Sequence, residues 1–383
     1  VSLRKWIIIG AVALVVLAGG IPLYIQRNFK EEVVAGSGVT QVFKLSRYFS
    51  DLAGTVGDTD VFELKGEKEG GKVLIIAGTH ANEPSAALTA YLLIENMKVE
   101  QGTVYIIPHF NRSGSLGAQP GGGFPLYFSI KTDWGEKKFR VGDRGLQAID
   151  QWPDPDVFVH YPDGQLLSYI DARNTNRAWP GRPDGFLAEK ITYATMEMIR
   201  KEGINVVIDL HEAEAMFPVT NCIVAPEKSK SVAIAASLFV KGKEKFENHV
   251  EPSPSSFRGL SHREIGDWSD AYPFLLESPG VHLDQITAAK TPQLIVDGKD
   301  PFVLEAAKKG LLYVPYDEQG FSMDRRVGQH SSVIQEILKQ WTRKHADEPI
   351  VVSAPKYKDI VQNGLGSFYN DPSKSDKDRI YYE

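Results

Sequence analysis

Two segments of this chain, KVLIIAG (72–78) and INVVIDL (204–210), are apolar almost from end to end, and they limit the fold more than any other feature. A strand with one face in water alternates apolar and polar residues. A strand without that alternation needs cover on both faces, the situation of a central strand in a parallel sheet clad with helices. Further strands are predicted at DVFELKG (60–66), GTVYIIPHF (102–110), around 219–225 and at YPFLLES (272–278). Helical periodicity covers PSAALTAYLLIENM (84–97), the regions near 185–203 and 228–246, and Met323 to Lys344 around VIQEILKQW. Asn82 is a candidate cap for the first of these, and Pro84 stands where a first helical turn tolerates proline. This alternation predicts an α/β fold with a mixed, largely parallel central sheet flanked by helices. Between 111 and 170 the regular patterns give way to Gly, Pro, Asp and Trp, with a glycine cluster at 121–123. So long an interruption is expected to be functional or to hold small elements of its own.

The amino-terminal stretch obeys a different rule. Trp6 to Ile25 carries no charge and is about long enough to cross a bilayer as a helix. Arg4 and Lys5 before it favour a cytoplasmic amino terminus, although Arg27 and Lys30 follow on the other side. We read residues 1–30 as an uncleaved transmembrane anchor; a cleaved signal peptide, with LAGG near the cut, is the rival. No cysteine follows, which excludes a lipoprotein. Residues 31–44, with AGSG, read as a linker, 45–345 as the main domain and 346–383, with DPSKSDKD, as a polar C-terminal tail. The body is then expected outside the cytoplasmic membrane. The balance of 43 basic against 49 acidic residues gives no reason to expect nucleic acid as a partner. A single cysteine, Cys222, rules out an internal disulfide and reads as a small apolar strand residue.

The chemistry gathers at the ends of the two apolar strands. GTHANEP follows KVLIIA directly, so His80 and Glu83 fall in the turn after a buried strand, where open α/β sheets place their ligand sites. An imidazole and a carboxylate three residues apart across such a turn can aim at one point, and zinc accepts both. His211 ends the second strand in the same way. Asp209, two residues earlier, lies on the same side of that strand; it either orients the imidazole or caps a nearby turn.

Together GTHANEP, NTNRAWPG (174–181), DLH (209–211) and FLLESPG (274–280), in that order, resemble the succinylglutamate desuccinylase/aspartoacylase family of the zinc carboxypeptidase superfamily. The resemblance runs from about 45 to 345, with RVGQH (326–330) similar to the end of the same domain. It implies a zinc carboxypeptidase-like fold, zinc held by His80, Glu83 and His211, a substrate carboxylate bound by Asn176 and Arg177, and Glu277 as general base. The chain departs from the family where Asn174 and Thr175 replace an Asp-Leu pair, and where LLSY stands before Ile170 in place of an upstream arginine. Arg173 is the candidate for that missing oxyanion role, with Arg140 and Arg144 in reserve.

The residue types suit amide hydrolysis. Zinc brings the pKa of water near neutrality, a carboxylate can carry its proton to the leaving amine, and a cation can meet the oxyanion. Arg173 or Arg177 could do the last, or grip a carboxylate as a fork. The expected function is therefore a zinc-dependent hydrolase of an amide bond in a carboxylate-bearing small molecule or short peptide, either an N-acyl amino acid deacylase or carboxypeptidase-like. A non-catalytic, membrane-anchored binding protein that keeps the fold is the alternative. SHRE (261–264) is read as a polar loop before the Glu277 strand that could line the substrate site. His109, His160, His249, His282, His330 and His345 have no ligand spacing and are read as structural or surface residues. No Gly-x-Ser-x-Gly elbow or phosphate-cradling glycine pattern is present.

Overall fold

The computed structural model describes residues 2–117, 125–283 and 287–383; the glycine cluster at 121–123 lies outside them. Among the described residues the body is built on a nine-stranded mixed sheet. Its strands are β1 (Val39–Lys44), β2 (Asp60–Lys65), β3 (Lys68–Ile76), β4 (Lys98–Ile107), β5 (Val206–Glu214), β6 (Cys222–Ala225), β7 (His249–Pro252), β8 (Tyr272–Gly280) and β9 (Val351–Ser353). They lie in the order β7-β6-β8-β5-β3-β4-β2-β1, with β9 also on β4. The four central strands β8, β5, β3 and β4 are mutually parallel. Antiparallel neighbours flank them on both sides.

The apolar strands are central, as their composition requires. Val73 and Ile75 of β3 enter one core layer with helices α2 (Pro84–Asn96), α4 (Glu227–Lys243) and α6 (Met323–Lys344). Leu74 and Ile76 enter the other, under α3 (Leu187–Glu202) and α5 (Ser261–Trp268). All four side chains are fully buried, each contributing on the order of 2 kcal/mol by leaving water. Parallel packing fixes a register that matters for chemistry: His211 of β5 stands directly beside Glu277 of β8.

Four points differ from the sequence reading. The 31–44 segment is no spacer: β1 lies in the main sheet, and Glu32–Val34 pairs with Ile380–Tyr382. Residues 346–383 cross the body; Ile360, Leu365 and Tyr369 are buried, and β9 pairs with β4. SHRE is the first turn of α5 and not a loop, and α2 begins after Glu83 and not after Asn82. The 111–170 interruption holds a ribbon, Tyr127–Thr132 with Gly135–Arg140, and a small hairpin, Phe158–Val159 with Leu166–Leu167. Among the described residues one long apolar helix, α1, precedes the body and spans Leu3–Asn28, and the apolar window within it is wholly unburied. By length and composition it meets the requirement of a membrane anchor and equally of a signal sequence.

Candidate metal centre

At the carboxyl ends of β3 and β5 the chain brings His80, Glu83 and His211 together, all buried, with their ligand atoms within 4.8 Å of one another. Glu83 lies between the two imidazoles. Its Oε1 is 2.8 Å from His80 Nδ1, and its Oε2 is 3.0 Å from His211 Nδ1. The two Nδ1 atoms face each other at 3.2 Å. A hydrogen bond can use one proton between them, whereas a cation would meet both nitrogen lone pairs and the carboxylate. Two nitrogens and one oxygen form a donor set that holds a transition metal with a position left open.

Each imidazole is fixed from behind. His80 Nε2 is 3.1 Å from Asn174 Oδ1, which also accepts the Asn176 backbone N–H at 2.9 Å. His211 Nε2 lies 3.0 Å from Asp209 Oδ2. Asp209 in turn accepts hydrogen bonds from the Thr79 hydroxyl at 2.8 Å and the Ser261 hydroxyl at 2.6 Å. Such outer partners set the tautomer, so that Nδ1 is free to ligate. Asp209 thus stands beside the imidazole, as the first of its two readings expects, and also holds the Thr79 and Ser261 hydroxyls. Thr79 and Ser261 carried no sequence signal for this role; both are ordinary polar residues until the fold joins strand end to helix start.

Charge balance in the cluster follows from burial and contact. Burial works against Glu83's charge, but His80 and His211 outweigh it and hold its carboxyl well below the usual range. Burial, assisted by Arg144, lowers His80 to about 4. Burial also opposes charge on His211, yet Asp209 and Glu83 overcome it and raise its pKa well above the ordinary value.

The cluster opens into a cleft of about 590 Å³. Asn176, Arg177, Arg144 and Glu277 line it with the three ligand candidates. Glu277 is partly enclosed, and its Oε2 has no hydrogen-bond partner among the described residues. Burial pushes its carboxyl up to about 8 against the pull of His211, with Glu83 adding to the rise. Arg177 stacks on Phe257 at 4.8 Å, and Asn176 Oδ1 accepts the Ser261 N–H at 2.8 Å. Val224, Leu260, Leu275 and His262 also line the cleft. His262 is anchored through Nδ1 to the Ser253 hydroxyl at 2.8 Å.

Arg173 does not join them. It donates to the Leu146 carbonyl at 3.0 Å and pairs with Asp154 at 3.0 Å, away from the cleft. The cation at the cluster is Arg144, 3.3 Å from Glu83 Oε1. Arg140 is committed elsewhere, paired with Glu31 and donating to the Phe29 carbonyl. The sequence places Arg144 only in reserve behind Arg173, since nothing local distinguishes it from Arg140 or Arg173.

No family model matches the chain, and no curated protein does. Among solved structures it is similar to a metallo-carboxypeptidase from Burkholderia cenocepacia, at 15% identity and TM-score 0.47 over 84% of this chain and 68% of that one. It is similar to a succinylglutamate desuccinylase from a Silicibacter species, at 16% identity and TM-score 0.35 over 57% of this chain and 53% of that one. The tripeptide-bound cell shape determinant Csd4 of Helicobacter pylori is similar at 13% identity and TM-score 0.42, over 78% and 57%. The chain thus spans a little over half the length of the last two. The likeness is one of fold.

Proposed function

We propose that the cleft hydrolyses an amide bond in a small carboxylate-bearing substrate, an N-acyl amino acid or a short peptide, with zinc held by His80, Glu83 and His211. The observation that carries this reading is the convergence of two imidazoles and a carboxylate at parallel strand ends, with a second carboxylate, Glu277, one strand away in the same cleft. Zinc held there supplies Lewis acidity, which polarises an amide carbonyl and acidifies water.

The remaining work falls to the chain's own groups. With its pKa raised by burial, Glu277 exchanges a proton near neutral pH: its carboxylate takes one from water and delivers it to the leaving nitrogen. Arg177, steadied by Phe257, and Asn176 bind the substrate's carboxylate and orient the amide. Arg144, beside Glu83 and open to the cleft, takes the oxyanion role first given to Arg173. The same reading has the Leu3–Asn28 helix anchoring the body to a membrane on its extracytoplasmic side.

Zinc analysis of the purified protein, together with Glu277→Gln, tests it. We expect about one equivalent of zinc. Hydrolysis of an N-acyl amino acid or peptide panel should be lost on chelation and restored by zinc, and Glu277→Gln should abolish turnover while zinc stays bound. Protein that binds no zinc and gains no hydrolysis when zinc is added would refute this reading.

A further inference from the structure

The amino-terminal helix does not leave the body on a loose tether; its last turn is clamped to it. Gln26 is fully buried, and its amide donates to the carbonyls of Val141 at 3.1 Å and of Gly117 and Leu126 at 3.3 Å. Arg27 pairs with Asp150 at 2.6 Å, and Asp150 also accepts the Ser113 hydroxyl. Phe29 meets the Tyr127 ring edge-on at 5.3 Å. Where the helix goes, this part of the body goes with it.

Asp150, the residue Arg27 holds, is flanked by Ile149 and Trp152, which are 81% and 75% exposed. A single exposed apolar side chain is ordinary on a soluble surface; a contiguous patch is not, and here they do not stand alone. Gln151 donates to the Ala172 carbonyl, which brings the turn carrying exposed Tyr169 and Ile170 alongside. The hairpin that follows Trp152 adds Leu166, 72% exposed. Acidic groups in the segment are largely paired within the protein, Asp150 with Arg27, Asp154 with Arg173 and Asp171 with Arg177. That leaves an apolar, aromatic face whose acidic groups are mostly paired, with Asp156 exposed at its margin.

Geometry supplies the occupant. A helix of 26 residues is about 39 Å long, against about 30 Å of bilayer hydrocarbon, so its last turn emerges at headgroup level. Tryptophan and tyrosine favour that depth. We infer that the surface formed by Ile149, Trp152, Leu166, Tyr169 and Ile170 rests in the lipid interface around the foot of the helix, fixing the body against the bilayer. The hairpin reaches the cleft's wall, since Gln165 bonds the Ser256 carbonyl and the Arg258 N–H next to Phe257. The cleft is thereby held close to the membrane surface, a position suited to substrates with a membrane-associated portion. Because the segment has no basic excess, contact depends on apolar insertion and not on anionic lipid.

This inference rests on the anchor reading, and one experiment separates the two. Full-length protein in phosphatidylcholine vesicles carries an environment-sensitive label at Trp152→Cys, Leu166→Cys, Val12→Cys within the helix, or Glu227→Cys at the exposed start of α4; native Cys222 is buried. Labels at 152 and 166 should show blue-shifted emission, loss of iodide quenching relative to 227, and quenching by shallow lipid-borne nitroxides; the label at 12 should respond to deep ones. If 12 responds but 152 and 166 behave like 227, the inference is overturned while the anchor stands. Labels shielded from both iodide and lipid would mean a protein covers the face, which also overturns it. If 12 shows no lipid quenching, the anchor reading fails and takes the inference with it.

Discussion

Replacing Asp209 with asparagine keeps the side chain's shape and removes its charge. Asp209 Oδ2 sits 3.0 Å from His211 Nε2 and accepts the Ser261 hydroxyl, while Oδ1 accepts the Thr79 hydroxyl. Two losses follow. The imidazole becomes a weaker donor to a cation, because no anion supports it. If the amide nitrogen faces Nε2, the imidazole must also accept there, which moves its proton to Nδ1 and blocks the ligating atom. Outer partners of this kind are typically worth 10–100-fold in metal affinity, about 1.4–2.7 kcal/mol. We expect Asp209→Asn to fall in that range, and Ser261→Ala, which leaves the carboxylate in place, to lose less. Competition with a chromophoric zinc chelator at pH 7 measures all three proteins. Activity of Asp209→Asn should return at saturating zinc, since neither Glu277 nor the arginines contact the altered group. A variant that binds zinc as tightly as the unaltered protein would refute the claim that Asp209 works through His211.

The two candidate oxyanion cations separate cleanly. Arg144→Ala should reduce kcat by about 10²–10³-fold. Arg173→Ala should leave kcat near normal and cost about 1–3 kcal/mol in stability through its lost carbonyl contact and Asp154 pair, read by denaturant unfolding. A pH effect is expected at Glu31: burial works against its charge, but Arg140 and His109 prevail and bring its pKa from 4.5 to about 2. With the folded value below the unfolded one, its stabilisation, on the order of 3 kcal/mol, is complete above about pH 4.5 and fades as pH falls through about 2. The gap in Tm between the unaltered protein and Glu31→Gln should therefore narrow from pH 7 to pH 3.5; a constant gap would count against the pairing.

How far the sequence could be read depended on the range of the signal. Runs such as KVLIIAG declare burial on both faces locally, and their ends pointed to His80, Glu83 and His211 before any fold was known. Glu277 was named through resemblance; its partnership with His211 is a register between strands 66 residues of numbering apart, which leaves no local trace. Arg144 stood only in reserve behind Arg173, because three arginines look alike in sequence until the fold says which one lines the cleft. The pairing of Glu32–Val34 with Ile380–Tyr382 was out of reach for a similar reason: short strands rich in charge and tyrosine at opposite ends of the sequence have no periodicity to betray them.

The direct pairing of His211 with Glu277 also bears on how this protein can change over time. Neighbouring strands run about 4.8 Å apart and successive side chains alternate between faces. Deleting one residue within Val206–Glu214 or Tyr272–Gly280 would turn one member of the pair to the opposite side of the sheet, and no adjustment of a loop could bring it back. The centre should tolerate drift in the residues around it far better than any change in strand length, so descendants of this chain are free to vary the cleft's walls while the count of residues along those two strands stays frozen.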